Sequence, residues 1–106
     1  MKNHNLPTIY SYGDYSSGNY GAHCMCMVIP PSRKNKHGIT LYFSYDTLVA
    51  FRGYVKDMGG RDLFVHKNVW GTTTGKHLNF IDYGHKEARF NDKDFEHYYK
   101  EAIKNA

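Results

Sequence analysis

The sequence predicts an α+β domain: a four- or five-stranded antiparallel sheet with a short helix at about 73–82 and a C-terminal amphipathic helix at about 91–104, both packed on one face. Three observations carry that expectation. Residues 39–45, ITLYFSY, alternate Ile39, Leu41, Phe43 and Tyr45 with Thr40, Tyr42 and Ser44, which is the period of a half-buried strand. The run AHCMCMVI (22–29) is apolar almost throughout and ends at Pro30-Pro31, long enough for a covered strand and short for a helix. Phe95, Tyr98, Tyr99, Ala102 and Ile103 recur at helical spacing behind Asn91, a good N-cap, with Asp92 and Asp94 in the first turn where the helix dipole favours them.

The remaining elements follow in order. TIYSYG (8–13) reads as a short strand, and DYSSGNYG behind it is rich in turn formers. SRKNKHG (32–38) is a basic loop carrying Arg33, Lys34 and Lys36. LVAFRGY (48–54) completes a hairpin with 39–45 across Asp46-Thr47, and VKDMGG (55–60) is a turn. DLFVHKNVW (62–70) reads as a strand with two mixed faces, as near an edge. In GTTTGKHLNFIDYG the threonines offer an N-cap, Leu78 and Ile81 lie one turn apart, and Gly84 closes the helix. KEARF (86–90) reads as a brief edge strand.

With 106 residues the chain has room for one core, so a single domain spans 1–106. The hydrophobic share of 41%, with 10 Tyr and 6 Phe, is enough to offset the entropy of ordering the chain and excludes wholesale disorder. A net charge of +4 favours approach to phosphates or acidic surfaces. No apolar run is long enough to span a bilayer, and MKNHNLPTIY lacks the apolar segment of a secretory signal, so the expected location is the cytoplasm. Cys24 and Cys26 sit on one face of a strand, too close to close a useful disulfide loop, and no second pair completes a zinc site; they are expected reduced and buried. Neither a cofactor nor a metal is expected. An exposed sheet edge would allow two copies to pair.

Candidate chemistry concentrates at Trp70–Asn79. Hydroxyls, backbone N–H groups and a cation gather there at a helix start, a composition suited to phosphate or carboxylate, although the spacing is not that of a P-loop. The expected contact surface is Tyr42, Arg52, Trp70, Lys76, His77 and Asn79, with Tyr10, Tyr12, Tyr15 and Tyr20 as further rings for stacking on single-stranded bases or for a protein interface. A metal-independent ribonuclease would use His77 and His66 as acid and base beside Lys76. The aspartates are scattered singly, which disfavours a metal-dependent nuclease.

Two stretches, LYFSYDTLVAFRGY (41–54) and NVWGTTTGKHLNFID (68–82), resemble those of a group of short phage-encoded proteins of unknown function. That resemblance implies a phage origin and an accessory role, and it carries no catalytic residues. By context, small proteins of that origin look like anti-CRISPR inhibitors of host defence. The expectation is therefore a non-enzymatic inhibitor that blocks a Cas9-class nuclease or its assembly with guide RNA, its partners being the bacterial nuclease, the guide RNA or both, in the host cytosol. The alternatives are a ribonuclease acting on guide RNA and a small nucleic-acid-binding accessory protein.

Overall fold

The computed structural model describes residues 7–12, 23–32 and 37–106. The predicted loop 14–21, with Tyr15 and Tyr20, the residues Gly13 and Ala22 at the ends of the predicted strands beside it, and the basic residues Arg33, Lys34 and Lys36 lie outside them. Five antiparallel strands follow one another across the sheet in chain order: β1 (Thr8–Ser11), β2 (Met25–Ile29), β3 (Ile39–Ser44), β4 (Thr47–Gly53) and β5 (Leu63–Val65). Helices α1 (Thr72–Asp82) and α2 (Asp92–Asn105) complete the fold. The α+β class, the antiparallel sheet and both helices agree with the sequence reading.

Short connections make this meander the simplest outcome. β3 and β4 are joined by the two-residue turn Tyr45–Asp46, with Tyr45 at φ 57 and Ser44 paired to Thr47. A bulge between Tyr42 and Phe43 inserts one residue into β4 relative to β3. It places both Val49 and Ala50 on one side, while Leu48 and Phe51 pack on the other.

That bulge feeds two cores, because the helices lie on opposite faces of the sheet and not on one face as the sequence suggested. Ile39, Phe51, Val55 and Phe64 pack against Phe95 and Ala102 of α2. Phe51 and Phe64 stack with ring centroids 4.9 Å apart, and Phe95 meets Phe51 edge-on at 5.3 Å. On the other face Val49, Ala50 and Val65 meet Leu78 and Ile81 of α1. A sheet of this width with apolar residues on both faces must be covered twice, and the amphipathic pattern of each helix alone does not say which face it covers.

Several details differ from expectation, beginning with β2, which opens at Met25 and leaves His23 and Cys24 outside the strand. β5 stops at Val65, since His66 already forms an isolated parallel bridge with Phe90 and the chain turns away at Asn68. Residues 86–90 are a 3₁₀ turn, Lys86–Ala88, leading to that bridge, where an edge strand was expected. α1 is not capped by a threonine: its N-cap is Gly71, and Thr72 is already helical. The cap of α2 is as predicted, with Asn91 Oδ1 accepting from the Asp94 backbone N–H at 2.9 Å. Cys24 and Cys26 are buried and not joined in a disulfide. Burial pushes the Cys26 thiol up, and its contact with Tyr10 holds that phenol at about 12, so neither group is poised to react near neutral pH.

Candidate functional site

The segment between β5 and α1 is shaped by one asparagine and two glycines. Asn68 Oδ1 accepts from the backbone N–H groups of Trp70 (3.0 Å) and Gly71 (3.1 Å), and its Nδ2 donates to the Gly71 carbonyl at 2.8 Å. Gly71 sits at φ 147, which a side chain rarely adopts, and its carbonyl accepts the first helical bond, from Gly75 N–H at 2.9 Å. A Cβ at Gly75 would meet Asn68 Nδ2 at 2.8 Å, so glycine is what lets the loop lie directly on the first turn of α1. The Gly-Thr-Thr-Thr-Gly pattern is thus a tight entry into a helix.

Successive α1 residues then point opposite ways. His77 is 0% exposed, wedged between α1 and the sheet, with Nδ1 2.7 Å from Ser44 Oγ; Ser44 Oγ in turn lies 3.0 Å from Thr74 Oγ1. The rings of Tyr12 and Tyr45 pack around His77, at 6.3 and 5.8 Å between centroids. Burial, with His23 nearby, lowers its pKa and keeps the imidazole neutral. Lys76, one residue earlier, faces outward into a cleft of about 460 Å³ that it lines with Lys67, Asn68, Thr72, Asn79 and Lys86.

Arg89 forms the cleft's back wall and is already engaged. Its Nε and Nη2 make a buried, two-pronged pair with Asp82 at 2.7 and 2.9 Å, and Nη2 also donates to Asn79 Oδ1 at 3.0 Å. Asp82 Oδ1 further accepts the Gly84 N–H that follows the helix, beyond the left-handed C-cap Tyr83. Among the described residues Lys67, Lys76 and Lys86 make no such pair, and no carboxylate lines the cleft. The first turn of α1 carries neither an acidic residue nor a side-chain cap, so its backbone donors add to the same positive end. Physically, the arrangement is a cation-lined recess with amide and hydroxyl donors, which fits a phosphate-bearing ligand and repels cations.

The expected contact surface is therefore divided. Lys76 and Asn79 share the cleft, and Trp70, 41% exposed, stands beside it on the backbone that Asn68 holds. His77 is sealed beneath α1 and does not belong with them. Tyr42 and Arg52 lie on the sheet: Tyr42 packs edge-on to Tyr12 at 5.4 Å, and Arg52 pairs with Asp62 at 3.0 Å beside a separate pocket at the Pro30-Pro31 end. Tyr10 is exposed on edge strand β1. His66 is 3% exposed, its ring nitrogens facing the Lys67 carbonyl (2.6 Å) and Asp92 Oδ1 (3.1 Å), and Trp70 covers it at 4.8 Å. His66 and His77 do not form an acid–base pair on one accessible site.

Lys67, Lys86, Arg89 and Asn68 were not singled out from sequence. Lys86 and Arg89 reach the cleft only because the 3₁₀ turn folds them back onto α1, a placement without local periodicity. Among the described residues no three His, Cys, Asp or Glu side chains gather as a metal site, and no helix is long and apolar enough to cross a membrane.

Fold and cleft together define a small α+β domain with a basic recess at the start of its first helix. The model of a family of unknown function, DUF8033, matches residues 20–97, and the chain belongs to that family. The match takes in β2 to β5, α1 and the entire cleft. No curated protein and no solved structure matches the chain.

Proposed function

We propose that this protein binds nucleic acid through the cleft and acts by occupancy, not catalysis. The observation that carries the reading is a recess lined by Lys67, Lys76 and Lys86 with no carboxylate in its lining among the described residues, Asp82 being spent on Arg89. Sequence-independent affinity for nucleic acid comes mainly from such lysine–phosphate contacts. Burial of His66 and His77 supports a binding role over the ribonuclease alternative, because a general acid or base must reach the proton it moves. The narrower role, capture of the guide RNA of a Cas9-class nuclease in the cytosol of an infected bacterium, is supported by the resemblance of the 41–54 and 68–82 segments to those of phage proteins.

The test is anisotropy of a labelled RNA oligonucleotide with the full chain and with Lys67→Gln/Lys76→Gln/Lys86→Gln. Loss of affinity by about tenfold or more at fixed salt, with unchanged far-UV circular dichroism, is expected. Equal binding by both proteins would exclude the cleft. Preincubation of labelled guide RNA with the protein, before the nuclease is added, tests the narrower role. Intact RNA that no longer assembles supports it, and new fragments would point back to the ribonuclease.

A further inference from the structure

The cationic groups lining the cleft differ in burial. Lys67, Lys76 and Lys86 are exposed, whereas the Arg89 side chain at the back wall is only 4% exposed. Arg89 spends Nε and Nη2 on Asp82 and Asn79. Its third guanidinium nitrogen, Nη1, makes no hydrogen bond among the described residues, and it is not one of the polar atoms sealed from solvent. Since Arg89 lines the cleft, that remaining donor opens into it. The same contact orients Asn79. Arginine has no acceptor, so the atom facing Nη2 is the Asn79 oxygen, and the amide N–H groups are what Asn79 has left to offer a ligand. Asn68 is fully engaged: its oxygen accepts two backbone N–H groups and its amide donates to the Gly71 carbonyl. The side chains around the cleft thus present lysine, amide and guanidinium donors, with the Thr72 hydroxyl able to act either way. A group that only accepts hydrogen bonds is satisfied there, whereas a base or sugar that must also donate is not.

We infer that the cleft takes the end of a nucleic acid strand, its terminal phosphate monoester lodged against Arg89 and Asn79 and the following phosphates passing the lysines. This rests on the nucleic-acid reading of the cleft and adds which part of the strand is held. An internal phosphodiester carries a sugar on each side, so it can touch a wall this buried only if the chain both enters and leaves the recess. An end enters alone. A terminal phosphate also carries a charge of about −1.5 to −2 at neutral pH and three strong acceptor oxygens, against the single charge of a diester. Hydrogen bonds to charged groups are the strong ones, so one more of them makes a difference of about tenfold or more in affinity.

The experiment displaces an internally labelled RNA oligonucleotide from the full chain with unlabelled strands of one sequence: 5′-phosphorylated, 3′-phosphorylated, and hydroxyl at both ends. A hydroxyl-ended strand one nucleotide longer adds a phosphate without changing the end. One of the phosphorylated strands should compete about tenfold more strongly than either hydroxyl strand. Which one it is gives the direction in which the strand enters. Equal competition by all four would overturn recognition of an end while leaving the cleft a nucleic-acid site, and failure of every strand to bind would overturn both. Asn79→Asp tests the placement within the cleft. It keeps an oxygen for Arg89 and turns the remaining donor into a carboxylate oxygen at an exposed position. The advantage of the phosphorylated strand should shrink to about twofold or less, with unchanged far-UV circular dichroism. An advantage that survives in Asn79→Asp would move the terminal phosphate away from Asn79 and Arg89 and overturn this placement.

Discussion

Burial of His77 between α1 and the sheet, with His23 nearby, sets its pKa below the ordinary histidine value. The unfolded chain therefore takes up this proton first as the pH falls below about 6.5, and folding stability contributed at this site is lost towards acid. Among the described residues the groups around the ring are Ser44, Thr74, Tyr12, Tyr45 and His23, none of them a carboxylate that would favour the imidazolium. In urea denaturation the midpoint should drop between about pH 7.5 and pH 5.5, and the drop should be smaller in His77→Gln. An identical pH dependence in the variant would remove His77 from that account. Gly75 gives a second expectation at this scale. In Gly75→Ala the new Cβ pushes Asn68 Nδ2 off the Gly71 carbonyl, a loss of about 1 kcal/mol. The helix gains about as much from replacing glycine. Thermal stability should thus change little, whereas oligonucleotide affinity should fall because the loop carrying Asn68 and Trp70 shifts. Unchanged affinity would mean that the close approach of loop and helix has no role in binding.

Among the elements, α1 depends on a contact made outside itself. Arg89 and Asp82 are 4% and 7% exposed at their side chains and tie the turn at 86–88 to the C-terminal end of the helix. Removing one partner of such a pair strands the other in a poorly solvated place, so Arg89→Ala should cost about 3–5 kcal/mol in denaturant titrations. The double replacement Asp82→Leu/Arg89→Met should recover most of that, because a pair of apolar side chains leaves no stranded charge. No recovery would indicate that the hydrogen bonds to Asn79 and Gly84 outweigh the charge pairing. This element also marks where sequence pattern stops being informative. The 39–54 hairpin and α2 were legible because a period of two and a period of 3.6, each bounded by turn or cap residues, are local signals. The start of α1 was misread because Asn68, three residues before Gly71, shapes the entry by accepting from the Trp70 and Gly71 N–H groups, and no threonine side chain caps the helix. β5 ended early for the same reason: Asn68 turns the chain where side-chain alternation still looked extended. Lys76 and Asn79 were found from composition near a helix start. Lys67, Lys86 and Arg89 were not, since their convergence depends on Phe90 bridging the distant His66 and on a buried ion pair closed across the turn between Asp82 and Arg89, neither of which has a periodic signal.

At the scale of the whole molecule, a sheet covered by α2 on one face and α1 on the other separates the larger core from the cleft. α2 with Phe51, Phe64 and Phe95 forms the larger aromatic core, while α1 carries the cleft on its outer side. On the proposed reading the charge that matters for binding is local, and the modest net value of +4 understates it. Each phosphate neutralised by a lysine releases condensed counterion, so three lysines engaged with a single strand should give a slope of about −2 in log affinity against log salt, at about −0.7 per contact. Replacing Lys76 alone by Gln should make the slope shallower by about 0.7 and weaken binding most at low salt. Replacing Lys100, which pairs with Glu96 on exposed α2, should leave the slope alone. The measurement is anisotropy of a labelled hexanucleotide over a series of salt concentrations. A slope near zero would place the affinity in uncharged contacts, and a slope far steeper than −2 would require phosphates to track cations outside the cleft, with the basic stretch Arg33, Lys34 and Lys36 the next positions to replace. Because the slope counts contacts independently of their geometry, it separates a ligand seated on three lysines from one drawn loosely to a basic protein.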